Sequence, residues 1–148
     1  MNETKKILII LGVVVLFVLT IVFLTREVEE EQIPRENPEE LVARLETALA
    51  SESNTLVYLG ITTCPACNMF GPVLEGTVER YNLKYIHFDL DLMDSSYVFM
   101  VYDMLDLEQP SVPFIAVVNN TGIIDTQIGY MEPDAFSEFL KKNNIIEE

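Results

Sequence analysis

An uninterrupted apolar segment near the start of the chain does most to restrict how this sequence can fold. Residues 7–24 read ILIILGVVVLFVLTIVFL and include no charged side chain. As a helix rising about 1.5 Å per residue, they would extend about 27 Å, close to the hydrocarbon thickness of a bilayer. The segment is apolar on every side, whereas a core helix carries only an apolar stripe. We therefore predict an N-terminal transmembrane signal anchor over residues 1–25.

A cleaved signal peptide is the alternative to a retained anchor. Cleavage needs small residues after the apolar segment, and this chain continues instead with Thr25-Arg26-Glu27, which favours retention. The orientation follows from charge, because Lys5 and Lys6 precede the segment and acids follow it. We expect a single-pass protein of the cell membrane, with its N-terminus in the cytoplasm and its C-terminal domain outside.

The rest of the chain is acidic. Residues 26–37 are rich in glutamate, contain a proline and show no apolar periodicity, so we predict an acidic linker there. The formal net charge of the chain is −15. This charge argues against a nucleic-acid partner, because neutralising phosphates requires an excess of Lys and Arg.

Residues 38–148 alternate between helix and strand patterns, which predicts one α/β domain. Strands are predicted over 55–61, 83–90, 113–118 and 123–128, and helices over 38–51, 64–81 and 95–107 and from 133 onward. Strands separated by helices favour parallel pairing, and the final hairpin adds an antiparallel strand. The expected architecture is a central mixed sheet of four strands, flanked by helices on both faces.

The two cysteines lie where a predicted strand gives way to a helix, in the sequence Cys64-Pro65-Ala66-Cys67. Unpaired N–H groups and the helix dipole favour negative charge at a helix N-terminus, so a thiolate at Cys64 is stabilised. Pro65 suits the first helical position, where its missing donor matters least. We predict that Cys64 is a nucleophile of lowered pKa. Cys67, one turn later, is predicted to be the more buried resolving thiol, with a pKa closer to the ordinary value.

A redox-active disulfide between Cys64 and Cys67 would need no further cofactor. A metal site is the competing hypothesis, but it needs about four ligands, and the chain offers two cysteines and the single His87, expected as a packed or surface residue. We therefore predict no metal. A purely structural disulfide would close a loop of only two residues and restrain the unfolded chain very little.

The motif and its surroundings resemble the thioredoxin family. Pro72 matches the proline in the active-site helix of that family, and Val112-Pro113 opens the third strand as its cis-proline loop does. The resemblance implies a thioredoxin fold over residues 38–148, with a cis peptide bond at Pro113 lying against Cys64. It also implies substrate docking at Val112 and Pro113, and Gly129 resembles the small residue that keeps this surface open.

Two positions differ from typical thioredoxins. Thr63 stands where the family has Trp, and Tyr58 stands where it has a buried acid that accepts the proton of the resolving thiol. A phenol has an ordinary pKa near 10 and is a poor base at neutral pH. We expect Tyr58, Thr63, Pro65 and Ala66 to support the site. The whole chain looks most like membrane-tethered thioredoxin-like proteins of bacterial surfaces, of the bacteriocin-accessory or disulfide-forming type.

The resemblance, together with the predicted location outside the membrane, implies an extracytoplasmic thiol–disulfide oxidoreductase that forms or rearranges disulfides in exported proteins. Its partners would be exported protein thiols and disulfides, the membrane through residues 7–24, and a membrane redox partner that recharges the pair. Three alternatives stay open: a membrane-tethered thioredoxin-like reductase, a Cu(I) metallochaperone holding the ion between the thiolates, and a redox-silent binding module that uses the Val112-Pro113 groove.

Overall fold

The computed structural model describes residues 2–3, 11, 15–17, 37–109 and 111–147. The chain divides into two units, Met1–Arg35 and Glu36–Glu148. Most of the predicted anchor over 1–25, and the linker up to residue 36, lie outside the described residues. Among the residues that are described, no helix is long and apolar enough to cross a membrane.

The second unit alternates helices and strands in the predicted order. Its helices are α1 (Pro38–Leu49), α2 (Pro65–Tyr81), α3 (Ser95–Met104) and α4 (Pro133–Lys142), and its strands are β1 (Thr55–Gly60), β2 (Tyr85–Asp89), β3 (Phe114–Asn119) and β4 (Gly122–Ile128). A short 3-10 helix, Leu90–Leu92, follows β2. The predicted helix N-terminus at Asn37 is confirmed, because its side chain accepts a hydrogen bond from the N–H of Glu39 at 3.1 Å.

The four strands form one mixed sheet in the order β2-β1-β3-β4. β1 and β2 are parallel, whereas β3 is antiparallel to β1 and to β4. The expected parallel pairing of strands separated by helices is therefore wrong for β3. Phe114, at the start of β3, pairs with Leu59 near the end of β1. β3 therefore begins at the end of the sheet where β1 finishes, so β3 runs in the opposite direction to β1.

Helices cover both faces of the sheet, as predicted. Alternate residues of β1 point to opposite faces, so Val57 and Leu59 pack with α1 and α3, while Leu56 and Tyr58 pack with α2 and α4. Burial on both faces explains why this strand is apolar without alternation. It also places Tyr58 in the same layer as the buried side chains of α2.

Candidate active site

Cys64 is the N-cap of α2, and its sulfur lies against the start of that helix. The Sγ atom accepts a hydrogen bond from the backbone N–H of Cys67 at 3.1 Å. The pKa of Cys64 is lowered, first by a hydrogen bond from the thiol of Cys67 and then by the backbone N–H groups of Cys67 and Ala66, while burial opposes the shift. The predicted direction is confirmed, although the largest cause is the neighbouring thiol, which spacing alone did not indicate.

Cys67 lies one turn into α2 and is only 6% exposed. Burial raises its pKa above the ordinary value, and the hydrogen bond that its thiol donates to Cys64 raises it further. The backbone N–H of Ile61 and the hydroxyl of Tyr58 act in the opposite direction. Cys67 is therefore more buried than Cys64, as predicted, but its pKa is raised where a nearly ordinary value was expected. Both cysteines are thiols in this structure.

The loop before β3 lies against the first cysteine. The Val112-Pro113 peptide bond is cis, as the resemblance implied. The Cys64 thiol points at the carbonyl oxygen of Val112, with Sγ and O 3.7 Å apart. Pro113 itself is buried, and its carbonyl oxygen accepts a hydrogen bond from the N–H of Gly129 at 2.8 Å. The structure thus brings Cys64, Val112 and Pro113 together.

Gly129 is needed for its backbone conformation. Its φ of +89° lies in the region that glycine adopts most readily. A Cβ added at this position would meet no atom within 4 Å, so available space is not what selects glycine here.

Tyr58 lies directly behind the second cysteine and is only 4% exposed. Burial raises the pKa of its phenol well above the ordinary value, and the negative charge of a Cys67 thiolate would raise it further. The hydroxyl therefore remains protonated and donates a hydrogen bond to the sulfur of Cys67. The expectation that Tyr58 is a poor base agrees with this environment.

Gly60 is a residue of this site that the sequence did not single out. A Cβ at Gly60 would lie 2.7 Å from the Tyr58 hydroxyl oxygen and 2.8 Å from Cε1 of the same ring. Tyr58 can fold over the strand toward Cys67 only because residue 60 has no side chain. The sequence did contain a signal for this contact. Tyr58 and Gly60 are two positions apart, so a large residue and the smallest residue lie on the same face of the strand.

The loop before the cysteines is held by a second residue that was not predicted. The Asp91 carboxylate accepts hydrogen bonds from the N–H of Thr62 at 2.9 and 3.0 Å, and the Thr62 hydroxyl donates to it as well. These bonds lower the pKa of Asp91. Thr63 and Pro65, which were expected to support the site, are exposed beside Cys64.

A cavity of about 340 Å³ lies behind the cysteine pair, between α2 and β2. Cys67 and Tyr58 line it together with His87 and Asp89. Nε2 of His87 lies 3.1 Å from Oδ1 of Asp89, and the imidazole packs edge-on against the Tyr58 ring with 4.8 Å between ring centroids. Within the part of the chain that the structure describes, no group of three or more His, Cys, Asp and Glu side chains could hold a metal ion.

The sheet order, the helix-capping dithiol and the cis-proline loop define a thioredoxin-fold protein with a Cys-Pro-Ala-Cys site. No protein-family model matches the chain. The chain is 28% identical over 98 residues to the thioredoxin of Buchnera aphidicola, an alignment that covers 66% of this chain and 86% of that protein.

Solved thioredoxin structures share the fold. The chain is similar to thioredoxin NaTrxh of Nicotiana alata, with a TM-score of 0.57 at 14% identity, covering 72% of this chain and 87% of that one. It is also similar to the thioredoxin of Aeropyrum pernix, with a TM-score of 0.55 at 18% identity, covering 72% of this chain and 82% of that one. These likenesses show a thioredoxin fold, and the predicted fold class of the domain is confirmed.

Proposed function

We propose that this protein is a membrane-anchored, extracytoplasmic thiol–disulfide oxidoreductase that forms or rearranges disulfides in exported proteins. The observation that carries the proposal is the lowered pKa of Cys64, whose sulfur caps α2 beside the carbonyl of Val112. A thiolate is the nucleophile and the better leaving group in disulfide exchange. Stabilising it at Cys64 stabilises the reduced pair and therefore makes the disulfide a stronger oxidant.

The reaction in the oxidising direction consumes a Cys64–Cys67 disulfide. A client thiolate attacks Sγ of Cys64, the bond between the two cysteines breaks, and Cys67 leaves with the electron pair and takes up a proton. A second client thiolate then attacks the client sulfur of the mixed disulfide, and Cys64 leaves as a thiolate. Two electrons have passed from the client to the pair, and a membrane redox partner would remove them.

Client docking would use the loop beside the nucleophile. Val112 is partly buried and lies next to Cys64, so an extended client segment placed along it would bring a client sulfur near Sγ of Cys64. Val112 and Pro113 are thus the proposed substrate-binding residues, with Cys64 as nucleophile and Cys67 as resolving thiol.

The location outside the membrane rests on the sequence. The apolar segment 7–24 has the length of a membrane span, and the basic residues before it favour a cytoplasmic N-terminus. Exported proteins form lasting disulfides in oxidising compartments. Reducing intact cells with a membrane-impermeant phosphine and then adding a membrane-impermeant maleimide would test this location, since Cys64 is labelled only if the domain lies outside.

A reductase is the second candidate, and the likeness to the Buchnera aphidicola thioredoxin favours it. The two directions differ in the reduction potential of the pair, which is about −270 mV for thioredoxin and about −120 mV for the strongest oxidant of this chemistry. Equilibrating the full chain in detergent with glutathione redox buffers measures this potential. A value above about −230 mV supports the oxidase or isomerase, and a value near that of thioredoxin supports the reductase. The Cys64→Ser variant, which cannot form the disulfide, is the control.

A further inference from the structure

Cys67 needs a proton acceptor that its nearest neighbour does not provide. Burial raises the pKa of its thiol, so at neutral pH the thiol must lose a proton before it attacks a mixed disulfide. Tyr58 contacts Cys67, but its own buried phenol stays protonated and acts only as a donor. The acceptor must therefore be another group with access to the cavity behind the pair.

His87 lines the same cavity as Cys67 and is suited to accept a proton. Its Nε2 lies 3.1 Å from the Asp89 carboxylate, so in the neutral imidazole Nε2 carries the hydrogen and Nδ1 is the basic nitrogen. A carboxylate that orients an imidazole in this way also stabilises the cation formed on protonation. The side chains of His87 and Asp89 are 38% and 43% exposed, which gives the proton a path to solvent.

We propose that His87, oriented by Asp89, accepts the proton of the Cys67 thiol when Cys67 resolves the mixed disulfide at Cys64. This inference rests on the proposed exchange function and adds its general base. Cys67 and His87 both line the cavity of about 340 Å³, which has room for water, and a general base can accept a proton through water.

The step balances without a further reactant. The Cys67 sulfur forms a bond to Sγ of Cys64, the bond between Cys64 and the client sulfur breaks, and the client leaves as a thiolate with the electron pair. The proton of Cys67 passes to His87. In the reverse direction the imidazolium returns the proton to Cys67 as that sulfur leaves, so His87 serves oxidation and reduction alike.

Several ionisable groups face His87. Tyr58 faces it from β1, Tyr85 and Asp89 from its own strand, and Cys67 and Glu75 from α2 across the cavity. Among the described residues that line the cavity, the carboxylates are those of Glu75 and Asp89. Glu75 is exposed, and it provides the matched control for a simple charge effect.

The test is a stopped-flow reaction of the reduced full chain with the chromogenic disulfide dithiobis(nitrobenzoate). Attack by Cys64 releases one nitrothiobenzoate in a phase that depends on reagent concentration. Attack by Cys67 on the resulting mixed disulfide releases a second nitrothiobenzoate, in a first-order phase whose rate does not depend on reagent concentration. We expect His87→Asn to leave the first phase unchanged and to slow the second about 100-fold at pH 7, the low end of general-base effects.

The pH profile separates a base from a structural role. In the natural protein the second phase should depend less steeply on pH than in His87→Asn, because a base lining the cavity accepts the proton of Cys67. In His87→Asn it should instead climb about tenfold per pH unit with hydroxide up to the raised pKa of Cys67. Added imidazole should restore the second phase of His87→Ala, and Glu75→Gln should match the natural protein.

Two results would overturn the assignment of His87. One is an unchanged second phase and pH profile in His87→Asn, and the other is an equal loss in Glu75→Gln without imidazole rescue of His87→Ala. A natural protein whose first phase is absent would overturn the proposed exchange function itself. The concentration dependence of the two phases distinguishes these failures.

Discussion

Replacing Tyr58 by Phe removes the hydroxyl that donates to Cys67 while keeping the aromatic ring. The ring contacts Phe70 and His87 at centroid distances of 6.0 and 4.8 Å, and these contacts do not involve the hydroxyl. When Cys67 is a thiolate, the hydrogen bond lost from the Tyr58 hydroxyl is one to a charged acceptor, and such hydrogen bonds contribute about 1.5–3 kcal/mol. At 1.36 kcal/mol per pKa unit, the pKa of Cys67 should rise by about 1–2 units.

The rate of resolution should fall by less than the change in thiolate fraction. Each unit of higher pKa reduces the thiolate about tenfold but makes the remaining thiolate more nucleophilic, with a Brønsted coefficient of about 0.4–0.5. The two effects combine to a loss of about 3- to 4-fold per unit, and so of about 3- to 15-fold for Tyr58→Phe. The first-order release of nitrothiobenzoate at neutral pH measures this rate.

The control is the concentration-dependent first phase, which reports on Cys64 and should be unchanged within about twofold, because Tyr58 lies behind Cys67. A resolution rate that stays equal or increases in Tyr58→Phe would refute the reasoning that the phenol donates to the Cys67 thiolate. A loss in both phases would instead indicate a disturbed fold.

Three further changes test other contacts of the site. Cys67→Ala should raise the pKa of Cys64, because the hydrogen bond from the Cys67 thiol is the largest cause of the lowered pKa. Cys67→Ser keeps a hydrogen-bond donor and should raise the pKa of Cys64 less. The rate of Cys64 alkylation by iodoacetamide, measured as a function of pH, gives the pKa in both variants. Asp91→Asn should lower the free energy of unfolding by about 0.5–1 kcal/mol at pH 7. The folded pKa of Asp91 is depressed, so its contribution is fully present above the unfolded value of about 3.9 and is lost as pH falls through the lower folded value. Urea titrations should therefore show a smaller difference at pH 3 than at pH 7. Gly129→Ala should cost about 1–2 kcal/mol through its positive φ, measured in the same way, and an unchanged midpoint would contradict the backbone explanation.

Local patterns were sufficient to predict the elements and the cysteine pair. The cap and proline at Asn37-Pro38, the apolar period of α2 and the turn before β4 depend on neighbouring residues, and each is found where it was predicted. The direction of the Cys64 pKa shift was equally accessible, because a helix N-terminus is a local feature. The direction of β3 was not, because it depends on where the chain returns to the sheet after α3.

The contacts that complete the site join residues far apart in sequence. Asp91 reaches Thr62 across 29 positions, and His87 meets Tyr58 only because β1 and β2 are parallel neighbours in register. The register pairs Tyr58 directly with His87. Periodicity identifies both strands but does not specify which residues of them stand opposite each other, so the sequence left His87 as a packed or surface residue.

Because the Tyr58 phenol is no base for Cys67, the group that does accept the proton of Cys67 governs how often client oxidation is completed. During client oxidation, Cys67 can attack the mixed disulfide and reverse the reaction, or the second client thiol can attack and complete it. With a neutral phenol behind Cys67, the return of Cys67 needs another proton acceptor, and under the proposed role of His87 the half-exposed imidazole determines how fast that return is. A slower return would leave the client thiol more time to react, and a larger share of the mixed disulfides would then go on to completed client disulfides. In the oxidation of a dithiol peptide by the His87→Asn variant, we therefore expect a larger share of the mixed disulfides to become peptide disulfides. A smaller share than in the natural protein would contradict the proposed competition between Cys67 and the second client thiol.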